Sequence, residues 1–267
     1  MKVFISADIE GIATTTSWKE THTASEPVTA APHAKQMTQE VLAACEGANA
    51  GGATEIYVKD AHGSGQNIDI TQLPENVIVL RNWSGHPYMM AEGVDSSFDC
   101  AMFVGYHSGA GREGNPLSHT MTGRPAWIKI NGQYASEFMI YSWACALEGV
   151  PTVLLSGDAM LCEDGKAQHP ALITVPTKSG VGSQTRNYSP SLVVKRIRQA
   201  AEKAVGLDLE AAKVQLPDSF TVEIFFKEHA HAEKVSYFPG VRKVDANIVR
   251  FASDSYFEVL RTLKWIL

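Results

Sequence analysis

Short apolar runs that alternate with helical stripes restrict the architecture of this 267-residue chain more than any other feature. The runs are KVFISA (2–7), EIYVK (55–59), VIVLR (77–81), CAMFVGY (100–106) and TVLLSG (152–157). Between them, Met37, Val41, Leu42, Cys45 and Ala48 mark a helix over 32–49, and a second helix is expected over 136–148. Strand and helix in alternation predict an α/β fold, a mostly parallel sheet with flanking helices. Asn131-Gly132 between alternating residues predicts a hairpin over 127–135. Ser189-Pro190 opens another helix, with serine as cap and proline in the first turn. FTVEIFF (220–226), NIVRF (247–251) and a helix from Ser253 then read as a smaller α+β unit. The expected division is 1–187 for the larger domain and 188–267 for the smaller. Residues 13–31, rich in Thr, Ser, Ala and Pro without periodicity, read as a long loop of the kind that often serves as a lid.

Bulk properties narrow the partners. A formal net charge of −6 argues against nucleic acid or an anionic membrane, both of which need a basic surface. No apolar run reaches the roughly 20 residues of a membrane span. The apolar stretch of MKVFISADIEG ends in two carboxylates, unlike a secretory leader. Cys45, Cys100, Cys145 and Cys162 form no CxxC pair, and three lie in runs expected to be buried, so reduced core thiols and a cytoplasmic setting are expected.

The chemistry gathers where these runs end. Asp8 and Glu10 are two apart at the end of the first run, so both carboxylates can leave the strand on one side. His62 follows 55–59, and His107 follows 100–106. In a parallel sheet the strands' C-terminal ends share one edge, where ligand sites collect. Two carboxylates and two imidazoles suit Zn²⁺, with Mn²⁺ or Co²⁺ as alternatives. Each residue alone has a plainer role, a turn-forming aspartate or a hydrogen-bonded loop histidine, so position leaves both readings open. His119 lies on a loop that could return over the same edge. His22, His33, His86 and His169 read as surface residues, and His229 and His231 are spaced for one face of a strand. Gly109-Ala-Gly111-Arg-Glu-Gly114 matches a dinucleotide fingerprint, but Asn115-Pro116 and a hairpin follow where that motif needs a helix. A two-metal phosphoesterase is a rival, for which only Lys59 and Arg112 could hold phosphate. A non-catalytic peptide-binding protein is another.

Ser6-Ala-Asp8-Ile-Glu10-Gly11 fits the SxDxEG signature of the zinc-dependent D-aminopeptidase family. Asp60-Ala-His62, Gly105-Tyr-His107, Ser118-His119-Thr-Met and Ser136-Glu137 follow in the family's order, up to Val153–Asp158. In these blocks the chain resembles that family. The resemblance implies two Zn²⁺ per chain, held by Asp8, Glu10, His62, His107 and Glu137 with Asp8 shared, and a catalytic role for His119. It also implies hydrolysis of short peptides with an N-terminal D-residue such as D-Ala by a metal-activated hydroxide, in a homo-oligomer that could be a large ring. Glu137 carries no such signal by itself, since the first turn of a helix favours an acidic residue anyway. Gly109–Leu117 and Thr122–Pro125 depart from the family's pattern, at loops that could line a substrate pocket.

Overall fold

Lys2–Ala7 forms β1, an apolar strand buried along most of its length. The computed structural model describes residues 1–267. After β1 come α1 (Pro27–Ala50), β2 (Glu55–Asp60), β3 (Val77–Leu80) and β4 (Cys100–Tyr106). A hairpin, β5 (Pro125–Ile130) with β6 (Gln133–Tyr134), leads into α2 (Glu137–Leu147), β7 (Thr152–Asp158) and α3 (Ala159–Gln168). Then follow β8 (Ile173–Val181), β9 (Gln184–Asn187) and α4 (Pro190–Val205). The chain closes with β10 (Phe220–Phe226), α5 (His229–Val235), β11 (Arg242–Lys243), β12 (Ile248–Ser253) and α6 (Tyr256–Ile266).

Seven strands form one sheet in the order β3-β2-β1-β4-β7-β8-β9, parallel except where β9 turns back on β8. β4 and β7 are buried at every residue, which is why they read as continuous apolar runs rather than alternating ones. One face is covered by α1 and α4, whose apolar side chains join Val3, Ile5, Val58 and Met102 in one core. The other face supports α2, buried all round and packed between β4 and β7 on one side and α6 on the other. Beyond it a second, antiparallel sheet runs β11-β12-β10-β5-β6. Its inward residues Ile128, Ile130, Val222 and Ile224 share a core with Phe4, Phe103 and Phe138. Each such large apolar side chain contributes about 1.5–3 kcal/mol on full burial.

The α/β architecture with a smaller antiparallel unit is as expected, and every expected strand is present. Asn131 and Gly132 take φ of 50° and 81°, the paired positive values of a two-residue hairpin turn. Other details differ. α1 starts at Pro27 rather than Pro32, which shortens the preceding loop. β8 was not anticipated because Pro176 interrupts its pattern. His229 and His231 lie in a helix, not a strand. The two layers do not divide at residue 187. α4, beyond that point, packs on α1 and β8, and the second sheet takes β5 and β6 from 125–134.

The chain builds β2 and β3 outward on one side of β1 and places β4 on the other. The order therefore reverses between β1 and β4, and in such sheets the crevice beyond the strand ends is the usual ligand site.

Candidate metal centre

The crevice holds all six side chains singled out in the sequence. Asp8 and Glu10 leave the end of β1, His62 follows β2, and His107 follows β4. His119 comes from the 107–124 loop, and Glu137 begins α2. Their ligand atoms form two groups, Asp8–Glu10–His62 and His107–His119–Glu137, each within 4.8 Å of one another. Asp8 faces both groups: Oδ1 lies 3.3 Å from His62 Nδ1 and Oδ2 lies 3.4 Å from His107 Nε2. His62 Nδ1 is also 3.1 Å from Glu10 Oε2, and Glu137 reaches His107 at 3.2 Å and His119 at 3.6 Å.

The histidines are prepared alike. His62 Nε2 lies 3.0 Å from the Thr21 carbonyl, His107 Nδ1 2.9 Å from that of Ser108, and His119 Nδ1 2.8 Å from that of Leu117. A carbonyl only accepts, so each of those nitrogens carries a hydrogen, and the other ring nitrogen faces the cluster, where it offers a lone pair once deprotonated, as binding a metal requires. Asp8 Oδ2, Glu10 Oε2 and His107 Nε2 are buried with no hydrogen-bond partner. Buried polar atoms are rarely left so, and orphans converging on one point fit a cation. Three buried carboxylates also need positive charge near them.

The titration behaviour has the same cause. Burial, then the charge of Glu10, pushes Asp8 up to about 8. Burial disfavours the charged form of His107, yet Glu137, Asp8 and Glu10 hold it up at about 10. His62 is likewise raised against its burial, chiefly by Glu10 and Asp8. Glu10 and Glu137, despite burial, are held low by the histidines beside them. Burial and the neighbouring His107 lower His119. Its ring stacks on that of His107 with centroids 4.3 Å apart.

The backbone that carries these groups is tightly held. Gly11 passes so close to β4 that a Cβ would overlap the Tyr106 carbonyl, and its N–H donates to Gly105 O at 2.8 Å. Asp60 accepts from Asn67 and Ile68 N–H groups, closing the loop that carries His62, and Asn67 Nδ2 donates to the His62 carbonyl. Ser136 caps α2, accepting from Met139 N–H at 3.1 Å, and so sets Glu137 in its first turn. Behind the cluster the Glu10 carbonyl accepts from Lys178 Nζ at 2.5 Å and Asn115 Nδ2 at 3.0 Å. Lys178 also donates to Thr15 O, and burial lowers it to about 8 despite Asp158 and Glu40 nearby.

The remaining histidines divide. His22 and His86 are exposed and His33 half-buried, but His169 is buried, against expectation, beside Phe138 and 3.2 Å from Ser142 Oγ. Arg112 pairs with Asp164 at 2.9 Å, and Lys59 is buried with its ammonium on the Asn82 carbonyl, so neither faces the cluster. Sequence reasoning missed Lys178 and Asn115, which reach Glu10 across 168 and 105 residues. It also missed the aromatic and methionine side chains of the adjoining cavity. No periodicity or spacing marks such contacts.

A parallel α/β sheet with a carboxylate–imidazole cluster at its switch point is an arrangement suited to metal-assisted hydrolysis. A profile of the D-aminopeptidase family matches residues 1–265, and the chain belongs to that family of peptide hydrolases. It is 24% identical to a D-aminopeptidase of Bacillus subtilis (strain 168) over 272 residues, 98% of this chain and 95% of that protein. Its fold is similar to the solved structure of the Zn-dependent D-aminopeptidase DppA from Bacillus subtilis, a self-compartmentalizing protease. The TM-score is 0.91 at 23% identity, over 100% of this chain and 96% of that one. No helix is long and apolar enough to cross a membrane.

Proposed function

We propose that the protein is a dinuclear zinc aminopeptidase that hydrolyses short peptides with an N-terminal D-residue such as D-Ala. The reading rests on one observation above all: Asp8 lies against both ligand groups, with a histidine ring nitrogen on each side and the orphaned oxygens turned inward. Asp8, Glu10 and His62 would hold one ion, and Asp8, His107 and Glu137 the other. Two Zn²⁺ against three carboxylates leave a net charge of about +1, small enough for a buried site. When bound, the ions supply Lewis acidity and acidify water toward a pKa of about 7. The zinc-dependent relative supports that metal over Mn²⁺ or Co²⁺.

His119 is the proposed catalytic residue. Its Nδ1–H is held by Leu117 O, so Nε2 is the atom that can exchange a proton with water and the leaving amine. Peptide is favoured over phosphoester because no Lys or Arg lines the cavity to hold a phosphate. A homo-oligomer is proposed from the self-compartmentalizing relative. A reducing cytoplasm suits the four buried free cysteines.

The test combines metal content with hydrolysis of D-Ala- and L-Ala-initiated peptides. Wild type should carry two zinc ions per chain and cleave the D-series faster. Asp8→Ala should lose both ions; two ions retained would refute the shared carboxylate. His119→Ala should keep both and lose about 10²–10⁴ in kcat. Loss of an ion in that variant would make His119 a ligand instead.

A further inference from the structure

The cavity beside the cluster has a volume of about 490 Å³, and its walls are as distinctive as its floor. Trp18, Trp83, Met89, Met90, Met121 and Tyr141 line it, and no Lys or Arg does. Lys59 stands behind the wall, its Nζ 4.2 Å from the centre of the Trp83 ring and held by Asn82 O. The tyrosine hydroxyl is engaged by Met89 Sδ at 3.6 Å. The other ionisable groups in the cavity are those of the cluster, together with His22.

Two of the three methionines are placed there against backbone preference. Four non-glycine residues have positive φ: Asn82, Asn131, Met89 (42°) and Met121 (63°). Asparagine tolerates that region, whereas methionine has no intrinsic reason to enter it. Met121 is held by its N–H on Glu137 Oε1 at 2.6 Å, within a turn closed by Thr122 N–H on Thr120 O. Strained backbone of this kind collects at functional sites. Here it sets flexible thioethers, which pack well on aromatic rings and apolar chains, around the space next to the reacting bond.

We infer that the preferred substrates are peptides whose N-terminal residue carries a large apolar or aromatic side chain. This rests on the peptidase reading above. An alanine methyl would leave most of the wall uncovered, whereas each further buried methylene is worth about fourfold in affinity.

The test uses the zinc-loaded protein and the amides of alanine, leucine and phenylalanine, in both D- and L-forms. Within the reactive series, kcat/KM should rise at least tenfold from alanine to leucine or phenylalanine. Trp83→Ala should lower the phenylalanine-to-alanine ratio. Equal rates or a preference for alanine would overturn the inference while leaving the peptidase reading intact. Tryptophan fluorescence titrations with phenylalanine amide and alanine amide read the pocket without turnover. Tighter binding of the phenylalanine amide with no cleavage of any peptide would support the pocket and overturn the peptidase reading. Equal binding would count against the pocket.

Discussion

Glu10 sends its carboxylate into the cluster and its main-chain carbonyl out of it, toward Lys178 and Asn115. The carbonyl therefore has two donors, one of them a buried ammonium with no carboxylate hydrogen-bonded to it. Such a lysine is costly to bury, and its geometry makes it a positioning residue for the Glu10 segment. Lys178→Met should weaken apparent zinc affinity about 10–100-fold, the usual cost of losing a group that orients a metal ligand. Chelator competition reads this directly, and unchanged affinity would remove Lys178 from that role. Among the histidines, His62, His107 and His119 were recognisable because they follow strand ends in ordered motifs. His169 was not, because its burial depends on Phe138 and Ser142, more than 25 residues away along the chain.

Helix contacts set how firmly the sheet's outer face is covered. Gly47 of α1 lies against α4, where a Cβ would overlap the carbonyl oxygen of Arg198 and press on Ala201. Alanine favours helix over glycine by about 1 kcal/mol. Against this, the obstructing atom is backbone and cannot rotate away, and overpacking costs about 1–3 kcal/mol. Gly47→Ala should therefore destabilise the protein by up to about 2 kcal/mol in urea unfolding. A gain in stability would mean that α1 and α4 separate freely. Among the elements legible in advance, β1, β2, β4, β7 and α4 show why: they carry unbroken apolar patterns or, for α4, a Ser-Pro start. α3 was not, since it starts directly on the Asp158 cap at the end of β7 and has no clear apolar stripe.

Global stability has a built-in dependence on pH through His169, which ties α2 to the end of α3. Burial pushes its imidazole down to about 4, against about 6.5 in an unfolded chain. Between those values the unfolded state binds more protons, so stability rises with pH across the window. The contribution is complete above pH 6.5 and is lost as pH falls toward 4. Relative to His169→Gln, wild type should lose up to about 3 kcal/mol between pH 7.5 and pH 4. Denaturant unfolding in the presence of chelator, which removes any contribution of metal, measures that difference. A flat profile, or one of opposite sign, would show that His169 does not titrate as a buried group.

The parallel sheet, the hairpin and the edge at which Asp8, Glu10, His62 and His107 gather were legible along the chain, because each is signalled by local pattern or by position after a strand. The family motifs added Glu137 and His119. Folding decided the rest. It brought α2 and the 107–124 loop over the switch point, turned one ring nitrogen of each of three imidazoles inward, and set Lys178 beneath Glu10. It also placed two tryptophans, a tyrosine and two strained methionines around the space beside them. These are contacts between residues far apart in the chain, made by side chains whose direction depends on packing, so no local pattern carries them. Asp8 and Glu10 were readable as candidate ligands; that Asp8 faces both groups at once is a property of the packed crevice alone.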